Sequence, residues 1–520
     1  MRVEPTPAIL LGRWARDKLN SRQHSRLAKL YLGSFMNQSR IPFLEKLAEA
    51  CQLQPVSFHM PGHKFNPALL PEMTNLWGAG VFTGDLNECV PPIDYLHSAN
   101  HSFKEAQALT AEAVGAEHSF FLVNGSTVGN QAMLMAAAKD GDEVILARAA
   151  HRSVYAGLIL SGARPIYVPP NYHPQVGFPL AVDVSAVAQC LAEHPQATAI
   201  HITSPNYYGY VSDVAGLAAL AHAHQLPLLV DEAHGAHFPF HPQLPPSAVA
   251  LGADAVVQSA HKTLGAITQA AWLHLSGPRL SAAHLRHILS LLQSSSPNAL
   301  LTSSLDAARR HAKLEGERLL TQALSLAETA RSAIRQIPGL WCYGAELVGE
   351  HGIAAYDPTK LVIRVSETGL TGKQFVAELW AHHKITVEFA DPRHIICSIS
   401  MADEAAKVEL LLNALRAIAA EGPKTESPPA VQLPPSTLPE LVLNPRQAAF
   451  SRSRAVPLAQ AAGEICAEQI IPYPPGVPLL APGERLSAEM IDYLRYLLAL
   501  NTSIVGPEDA QLKTVRVIEA

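Results

Sequence analysis

Between residues 104 and 275, short apolar runs alternate with longer stretches in which apolar positions recur every three or four residues. SFFLV, DEVILA, TAIHIT, LPLLV and ADAVVQS are five to seven residues long, and that length with this apolar content predicts strands buried on both faces. FKEAQALTAEAVGA, the stretch after NGSTVGN and VAGLAALAHAHQL carry the helical period. Strand and helix in alternation predict an α/β fold, a mostly parallel sheet with helices on both faces. Residues 36–310 hold this large domain. Residues 311–420 read as a smaller α+β domain, with a long charged helix, the strand KLVIRVS, a helix from Gly372 and the strand HIICSIS. A proline-rich linker at 421–440 and a C-terminal domain at 441–520 follow.

Composition narrows the picture. At 520 residues, 48% apolar and 16% charged, the chain is long enough for a large core divided among two or three domains. A net charge of -6 carries no basic footprint for nucleic acid. No run of about 18 apolar residues predicts a membrane span. The six cysteines lack CxxC spacing, so neither a disulfide framework nor a metal site is expected, and reduced cytoplasmic thiols are the simplest account. Residues 1–35 are basic, with five arginines and two lysines against Glu4 and Asp17. A weakly ordered extension or an upstream start, with MNQSRIPFLEKLAEA from Met36 as the usual beginning, is expected over a targeting peptide.

The chemistry gathers where the apolar runs end. LPLLV ends on Asp231, and ADAVVQS leads into His261 and Lys262, so both strands deliver polar groups at their carboxyl ends, where open α/β sheets bind ligands. A lysine at such a place is desolvated, which lowers its pKa and frees a nucleophilic amine for a Schiff base. A carboxylate on a neighbouring strand then suits the pyridinium nitrogen of pyridoxal phosphate (PLP). Taken singly, Asp231 is a turn cap and Lys262 a surface cation. FLVNGSTVGN adds a strand, a glycine turn and a helix start, an anion site in which Ser126 and Thr127 place hydroxyls. Alone, it is an ordinary N-cap.

DEAHGAH followed by SAHKTLGAITQ resembles the PLP-dependent Orn/Lys/Arg decarboxylases of the aspartate-aminotransferase fold group (fold type I). SFHMPGHK at 57–64, FLVNGSTVGN at 121–130, SPNYYGY at 204–210 and YPPGVPLLAPGE at 473–484 resemble the same family in the same order. The resemblance implies a short form without the N-terminal assembly domain of larger members. It implies Lys262 as the Schiff-base lysine flanked by His261, Asp231 on the pyridinium, and His151 stacked on the ring. Ser126, Thr127, Ala233, His234, Ser259 and Ser295 complete the implied cofactor set, Ser295 reaching the neighbouring subunit of a homodimer or larger homo-oligomer. Glu88, Asp94 and Glu484 are candidates for the substrate's distal cation. Departures fall at Asn87, Pro91, Pro92 and Tyr95, and at Asn298 and Ala299, where the family has serine and tyrosine.

The expected reaction is decarboxylation of a basic amino acid, arginine or lysine before ornithine, to CO2 and a polyamine precursor, with Lys262 or His261 returning a proton to Cα. Transamination, aldol-type cleavage and a catalytically silent PLP-fold binding protein are the alternatives.

Overall fold

The computed structural model describes residues 36–173, 176–422, 432–473 and 476–519. The reading of residues 1–35 as an extension lies outside the described residues, and so does part of the proline-rich linker. Seven strands form the main sheet: β1 (His118–Leu122), β2 (Glu143–Ala147), β3 (Arg164–Val168), β4 (Ala199–Thr203), β6 (Leu228–Asp231), β7 (Ala255–Gln258) and β8 (Ala271–Leu275). Their order is β1-β8-β7-β6-β4-β2-β3. β3, β2, β4, β6 and β7 run parallel, whereas β8 is antiparallel to both β7 and β1. The carboxyl ends of β1, β7, β6, β4 and β2 therefore open on one edge. The strands are buried along nearly their whole length, as continuous apolar runs require when helices cover both faces.

One helix is drawn unusually close to this sheet. In Gly125–Ala137, a Cβ on Gly129 would lie 2.4 Å from Val257 Cγ2 and 3.0 Å from Leu122 Cδ1. Only glycine admits that approach, which brings the helix N-terminus down to the ends of β1 and β7. Asn124 at its N-cap makes no side-chain cap, so that terminus has no side chain of its own on it.

The 36-residue helix Ala299–Ile334 leads to a second sheet, of β9 (Trp341–Tyr343), β11 (Lys360–Arg364), β12 (Phe389–Ala390) and β13 (His394–Ser398), in the order β12-β13-β11-β9. Its core includes Leu361, Ile363, Phe375, Leu379, Ile395 and Leu415. A further pair, β5 (Tyr210–Ser212) with β10 (Ile353–Tyr356), joins the SPNYYGY turn to this part of the chain. The C-terminal segment packs around Cys466, Leu480, Leu486, Leu494 and Val517. Among the described residues no helix is long and apolar enough to cross a membrane.

Candidate active site

β6 and β7 lie side by side, with Asp231 paired in register to Val257. After β7 the chain turns at Ser259 into the one-turn helix Ala260–Thr263, which carries His261 and Lys262. Lys262 is thus one step beyond the strand, and its side chain remains solvent-exposed in the single chain. The sequence reading placed it desolvated at a strand end; the short helix instead carries it beyond the strand. Enough protein still surrounds the amine to lower its pKa, chiefly by desolvation, with Lys360 adding to the effect and Asp231 and Glu388 opposing it. Lys262 Nζ lies 3.1 Å from His234 Nε2.

Asp231 is buried, and its hydrogen bonds come from neutral donors: Asn130 Nδ2 donates to Oδ2 at 2.8 Å, and the Ala233 N–H donates to Oδ1 at 3.1 Å. Burial raises its pKa against these bonds and against Lys262. Asn130 Nδ2 also donates to Ser153 Oγ at 2.9 Å, and Ser153 Oγ lies 2.8 Å from His151 Nδ1. One line of side chains therefore fixes Asp231 and the His151 ring together. His151 caps Arg152–Ser161 by accepting the Ser153 N–H, and burial with the neighbouring Lys262 lowers its pKa to about 4. Gly476 packs against it, for a Cβ there would sit 3.4 Å from His151 Cδ2.

Ser259 Oγ donates to Ser126 Oγ at 2.9 Å, directly at the N-terminus of Gly125–Ala137. Two hydroxyls and an uncapped helix start make an anion cradle. Thr127 is exposed on the first turn beside them. His261 points elsewhere: its Nδ1 lies 2.9 Å from the Ala270 carbonyl. A carbonyl only accepts, so Nδ1 holds the proton, and burial lowers the pKa of the ring. As a neutral ring His261 has no second proton to give.

The structure brings together Ser126, Thr127, His151, Asp231, Ala233, His234, Ser259, His261 and Lys262 on this edge. It does not bring Glu484, which corrects the sequence expectation. Glu484 is fully buried, and its Oε2 accepts the Ala481 N–H at 2.8 Å and pairs with Arg148 at 3.0 Å. Asp94 Oδ2 accepts the N–H groups of His101 and Phe103 and so secures the start of Ser102–Val114. Glu88 is exposed. Ser295 is also exposed, and its carbonyl accepts the Tyr95 hydroxyl at 3.1 Å, which holds the stretch on the surface of its own chain. Asn298 caps Ala299–Ile334.

Asn130, Ser153 and Lys360 were missed. Asn130 lies within FLVNGSTVGN, five positions into the helix, and only the fold reveals its partner 101 residues away. A cavity of about 430 Å³ is lined by Tyr172, Phe178, Tyr207, Tyr208 and Glu388 among others, but not by Lys262. The chemistry belongs to the sheet edge, where the amine, carboxylate and anion cradle meet. Elsewhere, ligand atoms of His173, Glu350 and His351 lie within 4.8 Å of one another, a grouping the sequence spacing hides. His173 Nδ1 accepts the Val176 N–H at 3.3 Å, so its neutral ring keeps the proton on the Nε2 that faces Glu350, which disfavours a preformed metal site.

A sheet edge so equipped suits a phosphorylated, cationic aromatic ring held against a lysine, and the class it defines is fold type I of the PLP-dependent enzymes. The family model for the Orn/Lys/Arg decarboxylase major domain matches residues 41–407, and that for the C-terminal domain matches 432–508. Arginine decarboxylase of Bacillus anthracis is 36% identical over 93% of this chain and 98% of its own. Arginine decarboxylase of Bacillus subtilis is 37% identical over 93% and 99%. The structure of lysine decarboxylase A from Pseudomonas aeruginosa shares the fold, with a TM-score of 0.78 at 21% identity over 96% of this chain and 82% of that one. The chain belongs to the Orn/Lys/Arg decarboxylase family, and its reaction is decarboxylation of a basic amino acid.

Proposed function

We propose that the chain decarboxylates arginine to agmatine and CO2 with PLP as cofactor. The observation that carries the choice of arginine is the similarity to arginine decarboxylases across 93% of the chain. Lys262 supplies the amine that anchors the cofactor, Ser126 and Ser259 take the phosphate with the helix N-terminus, and His151 covers the ring. Asp231, held by Asn130, keeps a proton on the ring nitrogen. When bound, PLP supplies the electron sink for the bond broken at Cα. The residues then return one proton to Cα. Lys262 Nζ, a free amine at rest that takes up the proton the substrate ammonium releases, and His234 Nε2 are the groups placed for that return, since His261 has its proton committed to Ala270.

Two copies of the chain form the working enzyme in this reading. Phe58 is 94% and Val56 85% exposed, and Leu53, Met60, Leu76 and Trp77 lie bare on the same stretch. So many exposed large apolar side chains within one stretch call for a covering partner. A second copy also supplies the Ser295 that one chain leaves on its surface.

Purified protein with PLP, offered arginine, lysine and ornithine separately beside Lys262→Ala, tests the proposal. Agmatine and CO2 from arginine, lost in the variant, are expected. Release from lysine alone overturns the choice of substrate, and keto acid in place of amine overturns the reaction.

A further inference from the structure

Lys360 is the first residue of β11 and pairs across the sheet with Ser398. It is 1% exposed, rare for a lysine, and the SPNYYGY turn is shaped around it. At Gly209, where φ is +89°, a Cβ would meet Lys360 Cγ at 2.9 Å. An ammonium has three protons to donate and no lone pair to offer. Lys360 Nζ meets three acceptors: Ser398 Oγ at 2.6 Å, His234 Nδ1 at 3.3 Å and Glu388 Oε2 at 3.5 Å. Ser398 Oγ in turn donates a hydrogen bond to Glu388 Oε2 at 2.7 Å, so the network is consistent throughout.

The consequence falls on His234. A neutral imidazole carries one proton, and a lone pair that accepts from Lys360 at Nδ1 leaves that proton on Nε2. Nε2 is the atom 3.1 Å from Lys262 Nζ. Between two nitrogens one must accept, so Lys262 accepts, as a free amine. The competing tautomer would aim Nδ1–H at Glu388 Oε1, but that separation is 3.6 Å, beyond hydrogen-bond length. Burial above all lowers the His234 pKa, and the Lys360 charge adds to it, in keeping with a neutral ring.

We propose that Lys360 is a positioning residue: it fixes His234 as the Nε2–H tautomer and so holds the amine of Lys262 unprotonated and oriented. The proposal rests on Lys262 being the cofactor lysine, but its test does not need the cofactor. In the cofactor-free full chain, nitrogen-15 labelling of histidine, with His234→Gln to identify the resonances, reads the tautomer in the wild-type protein. A proton on Nε2 and a bare Nδ1 are expected at neutral pH. A proton on Nδ1, or on both nitrogens, overturns the proposal.

A second readout is the rate at which trace acylating reagent labels Lys262, followed by mass spectrometry. In Lys360→Met, of similar length and without the charge, labelling at neutral pH is expected to fall about tenfold, the equivalent of one pKa unit. An unchanged rate in a folded variant overturns the proposal. The wild-type tautomer decides the matter if the variant does not fold. Failure of the cofactor reading shows separately, as amine release that survives Lys262→Ala.

Discussion

Asn130 uses one carboxamide nitrogen twice, on Asp231 at 2.8 Å and on Ser153 at 2.9 Å. Replacing it by leucine leaves a buried carboxylate short of a donor, at a cost of about 1–3 kcal/mol. Asn130→Leu is expected to lower the unfolding free energy by that amount, read from denaturant titration, and to weaken PLP binding, since Asp231 is pushed further toward its protonated form; a PLP titration followed by absorbance measures the second effect. Glu484 behaves differently. Removing one partner of a buried pair costs about 3–5 kcal/mol, so Glu484→Gln is expected to lower the melting temperature while leaving the KM for arginine unchanged in the protein that remains folded. A raised KM with unchanged stability would return Glu484 to the substrate.

Among the elements, the helix Gly125–Ala137 is the most exacting, because its N-terminus serves the site only when its flank touches β7. Gly129→Ala places a methyl 2.4 Å from Val257 Cγ2. Overpacking of this kind costs about 1–3 kcal/mol, and the lifted N-terminus is expected to bind inorganic phosphate and PLP more weakly than the wild type does, by equilibrium titration. The three strands β1, β8 and β7 are tied by Ser119, His274 and Gln258, with His274 Nδ1 2.7 Å from Ser119 Oγ and Nε2 3.0 Å from Gln258 Oε1. Burial lowers the His274 pKa to about 3. In the unfolded chain a histidine titrates near 6.5. As pH falls from about 6.5 toward 3, the unfolded state gains a proton that the native state refuses, and stability drops by about 1.4 kcal/mol per pH unit. His274→Gln is expected to lose that slope, measured as denaturant midpoints between pH 7 and pH 4.

The elements that bring the site together were legible because each ends an apolar run. β6 delivers Asp231, β7 delivers Ser259 and, one turn later, Lys262, and the NGST turn delivers Ser126. Period and strand-end position are local properties, and they survive folding. What could not be read depended on partners distant in the chain. Lys360 stands on KLVIRVS as one more strand residue until Gly209 and His234 are placed beside it. The glutamate of LAPGE follows a Pro-Gly turn, which ordinarily faces water, and only Arg148 explains why it lies inside. The structural part Asp94 plays was hidden for the same reason, because the amides it secures at His101 and Phe103 lie seven and nine residues on.

At the scale of the whole molecule, the bare stretch from Leu53 to Trp77 predicts the assembly. Phe58→Glu with Trp77→Glu is expected to shift the protein from dimer to monomer in light scattering and to remove activity with it. A fully active monomer would refute the two-copy reading. Arg148 and Glu484, meanwhile, stand 336 residues apart, one at the end of β2 and the other in the C-terminal segment. Either ion without the other would be stranded in a dry interior. A hybrid enzyme that draws its first 430 or so residues from one relative and the remainder from another would therefore inherit a sound junction only if both parents contribute matching members of this pair; the two segments are heritable as a unit.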